Sequence, residues 1–298
     1  IRYIIVIRAT IGEKRTTCLS SEAHLIENNS ICCRAYSRLT KLSKCEKRKI
    51  TSKKYCVKGQ LMTTDKKIAA FFDIDGTLFR NSLMVSHFNK LIQYEILSSD
   101  LKEQIQPFYS AWHNRELDYD DYLQKLARVY TDHLRDKPMA DIDFAAKQTV
   151  ELEHKHLYRF TKEQLDWHKS QGHMIVFISG SPQFLVSRMA KKLGSDMWFA
   201  TEYLSESGKF NGQVVPMWDS SSKLSVIKKL ANEYHINLTE SYAYGDTNGD
   251  VAMLTNVGHG VAFNPNKKLV TSLKNHDVEI VVERKDIIYR GISTKNTT

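Results

Sequence analysis

Proline and glycine are scarce, 5 and 13 among 298 residues, which excludes a collagenous or low-complexity chain. Long apolar runs are missing as well. The best of them, Ile68–Phe72 and Met174–Ile178, fall far short of the roughly 20 residues a membrane-spanning helix needs, so a transmembrane helix is excluded. Cysteine is absent from residue 57 onward. All five (Cys18, Cys32, Cys33, Cys45, Cys56) lie before it, and their odd number gives no sign of a disulfide framework. Acidic side chains are what the opening segment lacks: residues 1–60 hold 4 Asp+Glu against 14 Lys+Arg. The rest of the chain carries 29 basic and 30 acidic residues, so the formal charge of +9 belongs to a basic leader and the body is nearly neutral.

What remains is ordinary globular composition, 42% hydrophobic and 26% charged, enough for one large domain or two modest ones. The first methionine is Met62, followed by polar Thr63-Thr64-Asp65-Lys66-Lys67 and then a strand-like run. Residues 1–61 are therefore expected to be disordered or not native, with translation starting at Met62. Three rival readings are weaker on their residues. A transit peptide is disfavoured by Glu13, Glu22, Glu27 and Glu46. A nucleic-acid arm has only sparse interleaved aromatics and no recognised binding motif, and no nucleic-acid partner is expected for 62–298. A metal site from Cys32, Cys33, Cys45 and Cys56 lacks any C-x-x-C pair. The expected compartment is the cytoplasm, with organelle targeting by the leader as the alternative.

From Met62 onward strands alternate with helices, which predicts an α/β fold with a mostly parallel sheet covered on both faces. Strands are expected at Lys67–Asp73, Met174–Ile178, Asp196–Tyr203, Ser241–Tyr244 and Gly260–Phe263, with Val278–Val282 as a last edge strand and Ser207–Val215 as part of a hairpin. Thr161-Lys162-Glu163-Gln164 reads as a capping box opening a helix that Gly172 closes. Between Leu83 and Phe160 strand signals vanish. Apolar residues there recur at helical spacing, in Leu91-Ile92-Tyr94-Ile96, Tyr119-Tyr122-Leu123-Leu126-Val129-Tyr130 and Phe144-Val150-Leu152. The expected organisation is a core of 62–82 and 161–283, an inserted helical cap of 83–160, and a loose tail of 284–298.

Four separated fragments carry chemistry. Phe72-Asp73-Ile74-Asp75-Gly76-Thr77 ends a strand with two carboxylates on one side, a repulsive pair that a hard divalent cation relieves. Val176-Phe177-Ile178-Ser179-Gly180-Ser181-Pro182 brings a hydroxyl and free N–H groups to a helix start, where anions bind. Lys223 stands near the start of a helix, opposing its dipole. Tyr244-Gly245-Asp246-Thr247-Asn248-Gly249-Asp250 delivers two more carboxylates to a tight loop.

Together, and in this order, these fragments resemble the haloacid dehalogenase superfamily of phosphotransferases over Lys67 to about Leu269. The helical insertion and Ile178-Ser179-Gly180-Ser181-Pro182 are similar to its phosphoserine phosphatase-like branch, subfamily IB with a helical C1 cap. The resemblance implies a Rossmann-like sheet. It makes Asp73 the nucleophile that forms an aspartyl-phosphate and Asp75 the general acid and base. Mg2+ would be held by Asp73, the backbone carbonyl of Asp75, and Asp246. Ser179, the Gly180 N–H and Lys223 would bind the phosphate, Asp250 would orient Lys223 or a metal-bound water, and Thr77 would help through its backbone. Members of the branch usually carry a glutamate soon after the nucleophile. Here Arg80-Asn81-Ser82-Leu83-Met84 has no acid before Glu95, which argues against phosphoserine. His113, Asn114 and Arg115, beside Trp112, are the residues available to meet a substrate. His154 and His156 are two apart, do not share a helix face, and read as surface residues. The expected function is a Mg-dependent phosphatase acting on a small phosphorylated metabolite. The alternatives are a lipid-phosphate phosphatase, for which 62–298 shows no amphipathic basic helix, and a catalytically silent binding protein on the same fold.

Overall fold

The computed structural model describes residues 66–292 and, before them, a short antiparallel ladder of Tyr55–Val57 with Gln60–Met62. The chain divides into two units between Thr63 and Thr64. The ladder falls at the end of the basic leader; the remainder of that leader lies outside the described residues.

The second unit is built on one eight-stranded sheet. Its strands are β1 (Ala69–Phe72), β2 (Met174–Pro182), β3 (Met197–Glu206), β4 (Lys209–Val215), β5 (Tyr242–Gly245), β6 (His259–Phe263), β7 (Val278–Arg284) and β8 (Ile287–Ile292). They lie in the order β8-β7-β6-β5-β1-β2-β3-β4. All neighbours pair in parallel except the two edge strands, β4 on β3 and β8 on β7, which are antiparallel. β1 has β2 on one side and β5 on the other, so the winding reverses beside β1. In open α/β sheets ligands bind at the carboxyl ends of strands at such a reversal.

Strand β1 is apolar on both faces, as an interior parallel strand must be. Ala70 and Phe72 pack into one hydrophobic cluster and Ala69 and Phe71 into the other, following the period of two. The second face is covered by α7 (Ser220–Tyr234) and α8 (Val251–Thr255), through Val226, Ile227, Leu230, Met253 and Leu254. The first face meets α5 (Arg159–Ser170), α6 (Gln183–Leu193) and the inserted helices α1 (Leu83–Gln93), α2 (Asp100–His113), α3 (Tyr119–Leu134) and α4 (Met139–Glu153). Leu91, Tyr122, Leu126, Tyr130 and Val150 belong to the same buried cluster as Phe72 and Phe177, so the insertion has no core of its own apart from this face. Salt bridges Arg188–Asp143 and Lys192–Glu151, each 2.7 Å, fasten α4 to α6. The α3–α4 loop joins β4 through Asp136 N to Phe210 O (2.8 Å) and Phe210 N to Lys137 O (3.1 Å). No helix among the described residues is long and apolar enough to cross a membrane.

Four local expectations give way to tertiary contacts. Phe144 and Leu152 are exposed, and Phe144 rests on the ring of Tyr94 instead of joining the core. Helix α5 starts at Arg159, ahead of the expected capping box, because the buried Thr161 hydroxyl donates across the fold to Thr77 O (2.7 Å). Strand β2 runs on through Ser179 and Gly180 to Pro182, so the Ser179 hydroxyl lies within the strand, short of the expected helix start. The expected loose tail contains β8: a turn at Lys285, which takes a positive φ of 55°, folds Ile287–Ile292 back on β7. β-Formers Ile287, Ile288 and Tyr289 favour the pairing, and Arg290 grips Glu279 through two 2.9 Å hydrogen bonds. Strand β7 is therefore interior.

Candidate active site

The carboxyl ends of β1, β2 and β5 and the start of α7 supply the site. Asp73 is the last residue whose N–H stays on the ladder, donating to Tyr244 O at 2.9 Å. The chain then wraps into a tight turn in which Ile74 O accepts from the N–H groups of Thr77, Leu78 and Phe79. The buried Ile74, Leu78 and Phe79 side chains anchor that turn in the core. It sends the Asp75 carboxylate to the amino end of α1, where Leu83 N donates to Oδ1, while Ser179 Oγ donates to Oδ2 at 3.2 Å. Ser179 is itself fixed by Ser181 N at 3.1 Å, where the β2–β3 register slips between Ser179 and Pro182. Such an irregularity re-aims side chains at a strand end. Gly180 is pressed against Trp218: a Cβ there would lie 2.9 Å from Trp218 Cβ.

Lys223 lies in the first turn of α7, whose exposed amide groups are satisfied by Asp219 as N-cap, accepting from Ser221 N (3.0 Å) and Ser222 N (2.9 Å). The Ser221 hydroxyl, which also donates to Asp219, and then these N–H groups hold the Asp219 carboxyl down at about 2. Lys223 is 2% exposed, and its ammonium donates to Asp73 Oδ1 (2.7 Å) and Asp250 Oδ1 (2.6 Å). The second oxygen of Asp250 accepts from Asp246 N (3.2 Å), Thr247 N (3.0 Å) and Thr247 Oγ1 (3.1 Å). Asp250 thus orients Lys223 and locks the loop of Asp246 with one carboxylate. Asp246 Oδ1 accepts from Thr77 Oγ1 at 3.0 Å, so Thr77 contributes its side chain to the site.

One ammonium is buried against three buried carboxylates, Asp73, Asp246 and Asp250, with Asp75 half-buried beside them. Burial raises Asp73 to about 8, although Lys223 pulls the other way. Asp246 is pushed well above the usual carboxylate range by burial and then by the charges of Asp73 and Asp250. Burial raises Asp75, partly offset by the hydroxyl and N–H groups around it. For Lys223 burial opposes the charge, yet Asp250 and Asp73 outweigh it and push its pKa up. The surplus is negative and oxygen-rich, the environment that suits a hard divalent cation. Among the described residues Asp73 Oδ2 and Asp246 Oδ2 accept no hydrogen bond, which leaves one oxygen of each to ligate. No three Asp, Glu, His or Cys side chains form a metal cluster among the described residues; the Asp75 oxygens accept from Leu83 N and Ser179 Oγ, and those of Asp250 from Lys223 and the Asp246–Thr247 loop. Asp73 and Asp246 side chains with a backbone carbonyl and water nevertheless fit such an ion.

The expected substrate residues His113, Asn114 and Arg115 lie exposed at the end of α2; His113 stacks on Tyr109 with ring centroids 6.0 Å apart. None of the three makes a hydrogen bond or ion pair to the quartet among the described residues. Two phenols of the insertion reach the site electrostatically instead. Tyr119 is raised by burial and by the charges of Asp75 and Asp246, and Tyr158 by burial and Asp246. In the sequence Tyr119 was indistinguishable from the apolar stripe of its helix.

A family model described as haloacid dehalogenase-like hydrolase matches residues 70–255. The chain belongs to this family. A phosphoserine phosphatase of Methanocaldococcus jannaschii is 23% identical over 74% of this chain and 95% of its own length. A probable phosphatase of Mycobacterium tuberculosis is 26% identical over 68% of this chain and 71% of its own. A solved structure of a phospho-aspartyl intermediate analogue of phosphoserine phosphatase superposes with a TM-score of 0.53 at 23% identity, covering 74% of this chain and 96% of that one. A substrate-bound phosphoserine phosphatase complex gives 0.54 at 22%, covering 74% and 95%. Within its family the chain is a phosphatase of the phosphoserine phosphatase-like kind.

Gly76 gives a direct check on the cradle around Asp246. It takes φ +78°, and a Cβ there would lie 2.2 Å from Asp246 Oδ2. Gly76→Ala is expected to lower kcat/KM for p-nitrophenyl phosphate by about 100-fold, since small displacements of reacting groups cost that much. Steady-state kinetics would show it; an active alanine variant would mean that the turn has room to relax.

Proposed function

We propose that this protein is a magnesium-dependent phosphatase that hydrolyses a small phosphomonoester through an aspartyl-phosphate on Asp73. The observation that carries the reading is the convergence, at the reversal of the sheet, of Asp73, Asp246 and a buried Lys223 held 2.7 Å from Asp73 Oδ1. The relative and the solved neighbours that are phosphoserine phosphatases support it, one of those neighbours having been solved as a phospho-aspartyl intermediate analogue.

Asp73 Oδ attacks phosphorus in line, and the bond from phosphorus to the ester oxygen breaks. Protonated Asp75, whose burial favours holding a proton, gives it to the departing alkoxide. Water then attacks phosphorus, Asp75 takes its proton back, and the bond between phosphorus and Asp73 breaks to release inorganic phosphate. Ser179 Oγ, the Gly180 N–H and the Lys223 ammonium bind the non-bridging oxygens as charge develops. The Asp73 and Asp246 carboxylates and the Asp75 carbonyl would hold magnesium, which when bound would offset the repulsion between the anionic nucleophile and the phosphate. Asp250 keeps Lys223 aimed. The insertion, residues 83–160, serves as a cap that excludes bulk water from a site otherwise open at the sheet edge.

The substrate is a small phosphomonoester other than phosphoserine. No carboxylate lies between Asp75 and Glu95 in the sequence to receive an ammonium; Arg80 stands in that stretch, its guanidinium 5.5 Å from the centre of the Tyr158 ring. The test is turnover of p-nitrophenyl phosphate by the full chain with magnesium, after chelation, and after magnesium is returned, followed by a panel of phosphate esters that includes phosphoserine. Loss on chelation with recovery on return is expected. Absence of turnover under all three conditions, or indifference to chelation, would sink the reading.

A further inference from the structure

Asn266, just past β6, uses every polar group it has. Its backbone N–H donates to Asp246 O at 3.0 Å. Its side-chain oxygen accepts from Leu269 N at 2.8 Å, capping the short helix α9 (Lys267–Ser272). Its side-chain amide donates to both carboxylate oxygens of Asp120, at 3.3 and 3.2 Å, across 146 residues of sequence. Lys268 reinforces the same junction, 3.3 Å from Asp118 and 4.0 Å from Asp120. Asp120 is the second residue of α3, next to Tyr119, whose ring packs 5.0 Å from that of Trp112.

This junction is unusual within the insertion. The α4 end of it is fastened to the core by two ion pairs and the 136–210 ladder. For residues 98–121, by contrast, the hydrogen bonds and ion pairs that reach beyond their own two helices run, among the described residues, to Asn266 and Lys268. A helix cap needs only the Asn266 oxygen, and aspartate would serve as well. The amide is the part that only a carboxylate partner requires.

We propose that Asn266 is a positioning residue that latches the amino end of α3, and with it the front of the insertion, to the loop carrying Asp246. The proposal rests on the phosphatase reading above. It makes the cap's position and the Asp246 loop two ends of one connection, so that whatever loosens the latch weakens substrate retention before it weakens chemistry.

The test compares Asn266→Asp, Asp120→Asn and the two combined, in the full chain. Asn266→Asp keeps the cap to Leu269 but faces Asp120 with a like charge; it is expected to raise KM for p-nitrophenyl phosphate about fivefold, with kcat changed less than about twofold and Tm unmoved. The combined variant restores the donor–acceptor pair with the roles exchanged and is expected to return KM to within about twofold of the parent. A KM unchanged by Asn266→Asp, or a KM that the exchange does not rescue, overturns the proposal. Trypsin cleavage after the exposed Arg115 supplies a readout independent of turnover. Cleavage several-fold faster in Asn266→Asp and parental in the combined variant supports the latch, and equal rates in all three overturn it even if the phosphatase reading were to fail. That reading fails separately, on an inactive parent.

Discussion

Replacing Asp73 by asparagine is expected to remove turnover of p-nitrophenyl phosphate, by roughly 10^4-fold or more in kcat, while the protein stays folded. The amide keeps an oxygen for the Lys223 ammonium, 2.7 Å away in the parent, and keeps the volume. It loses the anionic oxygen that attacks phosphorus. Stability carries a second signature with a definite sign. Asp73 is raised by burial from 3.8 to about 8, so the folded protein binds this proton more tightly than the unfolded chain does. A group of that kind contributes stability below pH 3.8, and the contribution is lost as pH rises through about 8. Metal-free parent should therefore show a Tm that falls across this window, with a shallower fall in Asp73→Asn. Magnesium should raise the Tm of the parent at pH 8 more than that of the variant, because binding to the native state stabilises it and the variant has lost one anionic ligand. Scanning fluorimetry from pH 4 to 8 with and without magnesium checks both. Residual turnover near the parental rate would remove Asp73 from the chemistry, whatever the melting curves show.

The parts of this site that were legible in sequence are those fixed locally. Asp73 and Asp246 each follow a short apolar run, and a strand that ends in a tight turn puts its last carboxylate at the sheet edge wherever the rest of the chain goes. Lys223 stood out because a lysine in the first turn of a helix has a local cost, and that cost is met by ion pairs with Asp73 and Asp250. What sequence did not disclose depends on partners far along the chain. Thr77 finds Asp246 across 169 residues, and Asn266 finds Asp120 across 146. Neither partner leaves a periodic trace. Thr161 shows the opposite failure: its spacing to Gln164 satisfies a local capping pattern, yet its hydroxyl is taken by Thr77 O in the assembled fold. The fold class was readable because β1 and β2 are apolar without alternation, the mark of strands buried on both faces. The edge strand β8 was not, since an antiparallel edge needs only a turn and a few β-formers, a signal that a tail also carries.

Lys223→Met is expected to be the most destabilising single change in the site as well as an inactive enzyme. Methionine fills nearly the same volume, so little of the effect comes from packing. What changes is charge: the side chains of Asp73 and Asp250 are 8% and 0% exposed, and each loses its ammonium partner. Removing one member of a buried ion pair costs about 3–5 kcal/mol, because the remaining charge stays desolvated without compensation. For a unit of this size that corresponds to a Tm lower by about 10 °C. Activity should fall by about 10^3-fold, the scale of losing one group that stabilises transition-state charge. The combined variant Lys223→Met with Asp250→Asn separates the two roles. Neutralising Asp250 removes one of the orphaned charges while its amide still carries an oxygen toward the loop N–H groups, so part of the lost Tm should return. Turnover should not return, since no ammonium is left to meet the phosphate. A Lys223→Met protein that melts with the parent would mean that solvent reaches Asp73 and Asp250 freely. The burial argument for their excess charge, and with it the case for a cation between Asp73 and Asp246, would then fail.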